Sequence, residues 1–564
     1  MANPSRYDLR SVRLPRLAGW KLKAFVELVE NPATSGFLVR KMLETGGIST
    51  LRRMAVDEPP TYRPHAPWDG AVAPAAPLDL APFLDTQRPV PTGSGLPTIR
   101  DYETAYLSGR VTPLQVAERV IEAIADSDAR PQPLRAIVAC LQEDVMAQAR
   151  ASARRFREGR PLGILDGVPV AVKEEFDMVP YSTTVGTRFL GTSPATRDAA
   201  TVARLRAAGA LLVGKANMHE IGIGVTGLNP HHGATRNPHD PLHVSGGSSS
   251  GSAAAVAAGL CPVALGADGG GSIRIPAAFC GQVGLSPTYA RVSSLGSAPL
   301  AWTVDHYGPI AGSAEDAALA YAVLAGPDPT DPATRRQPPV TLETFDDLDL
   351  HGLVLGVYRP WFEHASSAMV EGCSRLLESL RVMGAEVREI EIPELDAARI
   401  ARLVTIVSEM ASGMERHHDA HRRDFGLDVR VSLALARSLT SRDYTQAQRI
   451  RTRAIAHVER ALERVDAIVT PATGCTAPLV RADALPDGES DLTTTLEIMR
   501  FSTLPNLTGH PAISIPAGYD AGGVPVGLQA VGRYWQEHTL LRLAHAAERA
   551  VERRPPKIQY RLLG

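Results

Sequence analysis

The chain has 564 residues, 44% of them hydrophobic and 21% charged, with a formal net charge of -2 at neutral pH. That length buries a large core, and the balanced charge provides no basic face of the kind nucleic acid requires. Aromatic residues are only 5% of the chain, too few to suggest stacking platforms for single strands.

The five cysteines are scattered without a CxxC pair, a pattern of reduced thiols in a cytosolic compartment. Met1 to Arg10 is polar and no secretory signal follows. No apolar run approaches the roughly 18–20 residues of a membrane span. The expectation is a cytoplasmic protein, with peripheral membrane contact only through its N-terminal segment.

Residues 12–54 form that segment. Leu17, Trp20, Leu22, Phe25, Val26, Leu28 and Val29 make a broad apolar stripe beside Arg13, Arg16, Lys21 and Lys23. A second helical stretch follows Pro32, with Phe37, Leu38, Val39, Met42 and Leu43. Two readings stand: a helical pair packed on the main body, or a basic amphipathic hairpin that touches a membrane or covers an apolar substrate channel. Residues 57–100, rich in Pro, Ala and Gly, read as an extended linker. Residues 1–56 are thus a helical extension, and 101–564 the catalytic body.

Within the body, Thr112-Pro113-Leu114-Gln115 predicts a helix start, because Thr caps, Pro suits the first turn and Gln closes the box. Val168 to Val172 predicts a buried strand, Asp198 to Ala208 a helix, and Ala210 to Val213 a second strand. Ser252 to Ala258 reads as a small-residue helix and Val263 to Leu265 as a strand. Residues 367–464 read as a mostly helical insertion or cap. Strand patterns return at Ala467–Val469, Ala512–Ile515 and Gly527–Ala530. Strands spaced by helices predict an α/β fold, a central mixed β-sheet sandwiched by helices, with the late strands rejoining the early sheet.

The densest motif lies between residues 245 and 276, as Ser245-Gly246-Gly247-Ser248-Ser249-Ser250-Gly251-Ser252 and Ala267-Asp268-Gly269-Gly270-Gly271-Ser272-Ile273-Arg274-Ile275-Pro276. Both clusters abut apolar structured sequence, unlike a flexible linker. Neither contains the GxxxxGK[ST] of a phosphate loop, and Gly270-Gly271-Ser272-Ile273-Arg274 is not the GxSxG of a nucleophile elbow. What remains is a glycine turn carrying a serine, with N–H groups that can converge on an oxyanion.

A hydroxyl needs a base. His231, His232, His239 and His243 crowd one loop without a metal-site pattern. Lys173, just past a buried strand, is the other option. Desolvation there would favour the neutral amine, although a lone lysine after a strand is more often at the surface.

These motifs resemble the amidase signature family. Gly246-Gly247-Ser248-Ser249 followed by an Ala-rich helix, then Gly266 to Gly281 (GADGGGSIRIPAAFCG), matches the signature nearly throughout. Gly167 to Lys173 (GVPVAVK) is similar to the lysine motif, and Gly214 to Met218 (GKANM) to the run that follows. Within the family the resemblance is to the plant-type fatty acid amide hydrolase group. It extends to Thr235–Pro241, Thr470–Gly474, Met499–Phe501 and the N-terminal Pro15–Gly19.

The resemblance implies Ser272 as nucleophile, Ser248 as a bridging serine after a cis peptide, and Lys173 as terminal base. It implies oxyanion N–H groups from Gly269, Gly270, Gly271 and Ser272, support from Ser249, and Asp268 and Arg274 as scaffolding. Gly222, Val225 and Thr226 are its implied substrate contacts. No metal or organic cofactor is implied. The implied substrate is a small-molecule amide, of the fatty acyl type such as N-acylethanolamines, with residues 12–54 lining the acyl site and a homodimer among the expectations.

Alternatives stay open at this point: hydrolysis of aryl acylamides, carbamates or short amides, a subunit feeding ammonia to a tRNA-bound partner, or a non-catalytic lipid-amide binder. Three positions depart from the wider family pattern, Gly269, Glu174 and Ser286.

Overall fold

The structure is a computed structural model that describes residues 7–70, 78–80, 83, 95–485 and 487–564. Of the linker expected over 57–100, residues 71–77, 81–82 and 84–94 lie outside the described residues, as do residues 1–6 of the extension.

Thirteen strands are labelled here in chain order: β1 Leu17–Ala18, β2 Ile137–Ala139, β3 Pro169–Lys173, β4 Leu211–Ala216, β5 Val263–Asp268, β6 Val283–Ser286, β7 His306–Ala311, β8 Val354–Val357, β9 Glu386–Glu389, β10 Ala467–Pro471, β11 Glu489–Ser490, β12 Ala512–Tyr519 and β13 Pro525–Gly532. Eleven of them form one sheet, in the order β2-β4-β3-β5-β7-β6-β12-β13-β10-β8-β9, while β1 and β11 pair separately. The sheet is mixed. β3 runs parallel to both β4 and β5, whereas β5, β7, β6, β12, β13 and β10 alternate in direction. The late strands rejoin the early ones where β12 pairs with β6.

Helices cover both faces, so central strands are buried on both sides and read as continuous apolar runs. Every residue of β3, β4 and β5 is buried. The helix Pro113–Ala129 starts as its motif predicts. Gln115 N–H donates to Thr112 Oγ1 at 3.3 Å and Thr112 N–H to Gln115 Oε1 at 3.0 Å, a capping box that contributes about 1 kcal/mol.

Five strands of the large sheet carry no readable pattern. β2 is only three residues long. β7 contains Pro309, which argues against a central strand; it is tolerated because β6 pairs only with Ile310 and Ala311, leaving Pro309 outside that ladder. β6 and β8 are four residues each, and β9, with the sequence Glu-Val-Arg-Glu, is a polar edge strand inside the helical segment 367–464. That segment is no detached cap. Its helix Ser367–Val382 packs on β12 and β13, and β9 extends the sheet.

The N-terminal helices Gly19–Glu30 and Pro32–Thr45 dock on the body. Leu22 and Val26 pack against Val431 of the helix Leu427–Ala436, and Glu30 accepts two bonds from Arg430 at 2.7 and 3.0 Å. The stripe divides: Trp20 and Leu28 face outward, with Trp20 76% exposed. No described helix is long and apolar enough to cross a membrane. Residues 58–62 of the linker lie along the helix Ser441–Leu462, where Arg453 grips Glu58 at 2.7 Å and Arg451 donates to the Tyr62 carbonyl at 2.8 Å.

Candidate active site

Because β3 and β5 are parallel neighbours, their C-terminal ends emerge at the same edge of the sheet. Lys173 is the last residue of β3, within the strand instead of one residue past it. The glycine turn Gly269–Ser272 leaves β5 directly beside it. Asp305 reaches the same edge just ahead of β7, where His306 pairs with Asp268.

Lys173 Nζ donates to Ser248 Oγ at 2.9 Å and to the Ala267 carbonyl at 3.2 Å, and it lies 2.9 Å from Glu175 Oε2. The Gly247–Ser248 peptide is cis, as the resemblance implies. Ser248 and Lys173 are buried, and Ser272 retains 7% exposure. Lys173, Ser248 and Ser272 line one cavity with Glu175, Gly222, Ala267, Gly269, Leu300, Asp305, Ile406 and Met410. The cavity measures about 10 Å³, room for about one water. Its wall is divided, polar at Lys173, Glu175 and Asp305, apolar at Leu300, Ile406 and Met410.

The turn is held by a buried ionic hub. Asp268 Oδ2 receives Ile273 N–H at 3.1 Å and Arg274 Nε at 3.0 Å, and Oδ1 receives Gly270 N–H at 3.2 Å and Gly271 N–H at 2.5 Å. Burial pushes the Asp268 carboxyl up, but Arg274 and these N–H groups outweigh it and hold it well below the usual carboxylate range. Arg274 also donates to Gln529 Oε1, to the Ser502 carbonyl at 2.9 Å and to Asn506 Oδ1 at 2.5 Å. Asp268 and Arg274 thus tie the glycine turn to the C-terminal segments.

Two of the expected oxyanion donors are corrected. Gly270 and Gly271 already donate to Asp268, so that of the four expected donors Gly269 and Ser272 are the two not engaged by that carboxylate. Gly270 and Gly271 have another duty. A Cβ at Gly270 would lie 1.7 Å from Arg402 Nη2, and Gly271 adopts φ +116°. Only glycine fits both demands. Arg402 clamps the turn by donating to the Gly269 carbonyl from Nη2 at 2.8 Å and Nε at 3.1 Å. Burial lowers its guanidinium to about 10, so it stays cationic at neutral pH.

Ser249 is hydrogen-bonded into the same region. Its Oγ donates to the Ala267 carbonyl at 3.1 Å, and its N–H to the Ser272 carbonyl at 3.2 Å. Gly222 lines the cavity; a Cβ there would sit 3.7 Å from Ser248 Oγ. Val225 and Thr226 lie outside this cavity's lining. Val225 is buried with Leu228, Ile275 and Phe279 in a separate apolar cluster, and Thr226 is not among the cavity-lining residues. Glu174 also points elsewhere, accepting from Thr184 and Gly186 N–H at 2.5 and 2.6 Å. Ser286 pairs with Ala512 between β6 and β12.

The loop histidines disperse. His231 bonds Glu220 at 2.8 Å and His232 the Thr187 carbonyl at 3.0 Å, while His239 is buried. Among the described residues no group of three or more His, Cys, Asp or Glu is placed to hold a metal.

A family profile described as Amidase matches residues 118–541. Over 99% of its length the chain is 40% identical to fatty acid amide hydrolases of Medicago truncatula and Arabidopsis thaliana, covering 97% and 96% of those proteins. The chain belongs to the amidase signature family. It is an amide hydrolase of that family. Among solved structures it is similar to the peptide amidase of Stenotrophomonas maltophilia, with a TM-score of 0.71 and 30% identity over 83% of this chain and 99% of that one.

Several residues of this amidase site have no sequence signal. Glu175 sits two positions after Lys173 but looks like an ordinary surface acid. Asp305, Arg402, Ser502, Asn506 and Gln529 come from distant segments, and only the folded sheet brings them to Ser272. The apolar wall of Leu300, Ile406 and Met410 belongs to a larger cluster with Val304, Val407, Met414, Phe425 and Leu433.

Proposed function

We propose that this amidase hydrolyses fatty acid amides such as N-acylethanolamines, to free acid and amine, through a Ser272–Ser248–Lys173 relay. The observation that carries the relay is the 2.9 Å bond from Lys173 Nζ to Ser248 Oγ, beside a cavity that Ser272 shares. Lys173 as the free amine takes a proton from Ser248 while Ser248 takes one from Ser272. Ser272 Oγ attacks the amide carbonyl, and the oxyanion forms against the N–H groups of Gly269 and Ser272. The ammonium generated on Lys173 finds the Glu175 carboxylate 2.9 Å away. The proton then returns through Ser248 to the leaving nitrogen, the C–N bond breaks, and water hydrolyses the acyl-enzyme by the same relay.

The acyl half of this reading is supported by the likeness to plant fatty acid amide hydrolases and by the apolar wall continuing from Leu300, Ile406 and Met410 to Met414, Phe425 and Leu433. An acyl chain needs more room than the cavity offers, and Met410, unbranched and adaptable, is suited to yield it. The N-terminal helices pack over Leu427–Ala436, the outer side of that cluster, and serve as its cover.

The test is a panel of amides varying acyl length and amine independently. Rising kcat/KM with acyl length is expected, and a preference for anilides or short acyl groups would overturn the fatty-amide assignment.

A further inference from the structure

Three carboxyl groups crowd the sheet edge at Ser272, and two are accounted for. Asp268 is saturated by the glycine turn and Arg274, and Glu175 faces Lys173. Asp305 differs. It lines the cavity with Ser272, and its Oδ1 would lie 2.4 Å from a Cβ on Gly269, the first residue of the turn. Its carboxyl makes no hydrogen bond or ion pair with any described residue, and it is not fully closed off from the cavity.

A carboxyl placed this way without a protein partner is costly unless something else satisfies it. Burial first, and the charge of Glu175 next, raise it above the usual carboxylate range against the pull of Lys173, and in either protonation state its oxygens can accept a hydrogen bond. The acyl half of an amide has no group to answer it; a hydrocarbon chain against Asp305 would leave the carboxyl unsatisfied. The chain fits the opposite wall of Leu300, Ile406 and Met410. The amine half is what remains to meet Asp305.

We infer that Asp305 selects the leaving amine, hydrogen-bonding a hydroxyl or N–H on it, so that amides of hydroxyalkyl amines are hydrolysed in preference to amides of plain alkyl amines. This rests on the reading that Ser272 attacks fatty acid amides. A site that bonds a substrate hydroxyl discriminates strongly against the analogue without it, because its own polar group is then stranded. Asp305 is thus a specificity residue, outside the proton relay.

The experiment compares kcat/KM for two amides of one acyl chain, the ethanolamide and the propylamide, which replaces the hydroxyl by a methyl. The wild-type enzyme is expected to prefer the ethanolamide by at least about tenfold. Asp305→Ala should bring the ratio near one, its loss falling mainly on the ethanolamide. Asp305→Asn, which still donates and accepts at nearly the same size, should keep most of the preference. An unchanged ratio in Asp305→Ala, or equal losses on both substrates, overturns the assignment while leaving the hydrolase reading in place. A wild-type enzyme inert toward both amides overturns that reading and this assignment with it.

Discussion

Lys173 Nζ lies 2.9 Å from Glu175 Oε2 with both side chains buried. The base of the proposed relay therefore has a built-in counter-charge. A charge that develops in a dry site is stabilised most by a group already fixed in position. Glu175→Gln is expected to lower kcat by about 10- to 100-fold with little change in KM. Lys173→Ala should cost more, and adding Glu175→Gln to it should cost little further, since the two act as a unit. Steady-state kinetics of the four proteins check this, and additive losses would separate Glu175 from the relay.

Ser272 is the expected site of covalent labelling by a fluorophosphonate. Ser272→Ala should abolish labelling, and mass spectrometry of the adduct should place it on the peptide containing Ser272. Labelling that persists in the variant would move the nucleophile elsewhere.

The clamp between Arg402 and the glycine turn predicts a coupled pair. Gly270→Ala drives a methyl group into the guanidinium, an overpacking expected to cost about 1–3 kcal/mol. Arg402→Ala removes the obstacle but leaves the Gly269 carbonyl without its donors. The double variant should be more stable than the sum of the single losses, which chemical denaturation measures.

Much of this site was legible before any coordinates. Ser248 and Ser272 stood out because the backbone around them can be built only with glycine and small residues, and such demands are written directly into sequence. The roles of Lys173 and Ser248 were legible only through the family resemblance, since a lone lysine after a strand is more often at the surface. Asp305 and Arg402 were not, because nothing near them in the chain differs from ordinary sequence; their roles arise from strand order. Val225 packs in an apolar cluster instead of lining the cavity, since lying three residues from Gly222 does not decide which side of a loop a side chain takes. β7 was missed because Pro309 normally marks the end of a strand.

Deleting residues 1–54 should harm long acyl amides more than short ones. Each buried methylene contributes about 0.8 kcal/mol, so a chain that loses contact over several methylenes loses more than tenfold in kcat/KM. The deletion also uncovers Val431 and removes the Arg430–Glu30 and Arg52–Asp443 ion pairs, so a lower Tm is expected whatever the substrate. Equal losses on short and long amides would make the segment purely structural.

Glu548 predicts a pH effect on stability. It is buried, with Oε2 accepting from Ala314 N–H at 2.9 Å and Oε1 3.7 Å from Arg553 Nη1 without a hydrogen bond, and burial, only partly offset by Arg553, raises its carboxyl to about 7. In the unfolded chain the group ionises near its ordinary 4.5. Between those values the folded state holds a proton that the unfolded state has lost, so this group's contribution falls as pH rises from 4.5 to 7. The change is on the order of 3 kcal/mol. Glu548→Gln should therefore raise Tm at pH 8 and change it little at pH 4; the reverse order would refute the argument.

The hub at Asp268 has a consequence for biosynthesis. By the time Asp305 has left the ribosome, the growing chain already contains Lys173, Ser248 and Ser272. It still lacks Ser502, Asn506 and Gln529, to which Arg274 is anchored. A nascent or prematurely terminated chain would thus carry all three relay residues without the far-side anchors of its turn. Hydrolytic competence should arrive late in synthesis, when the C-terminal strands complete the sheet, and a nonsense mutation between residues 305 and 502 should yield an idle fragment instead of a loose, indiscriminate hydrolase.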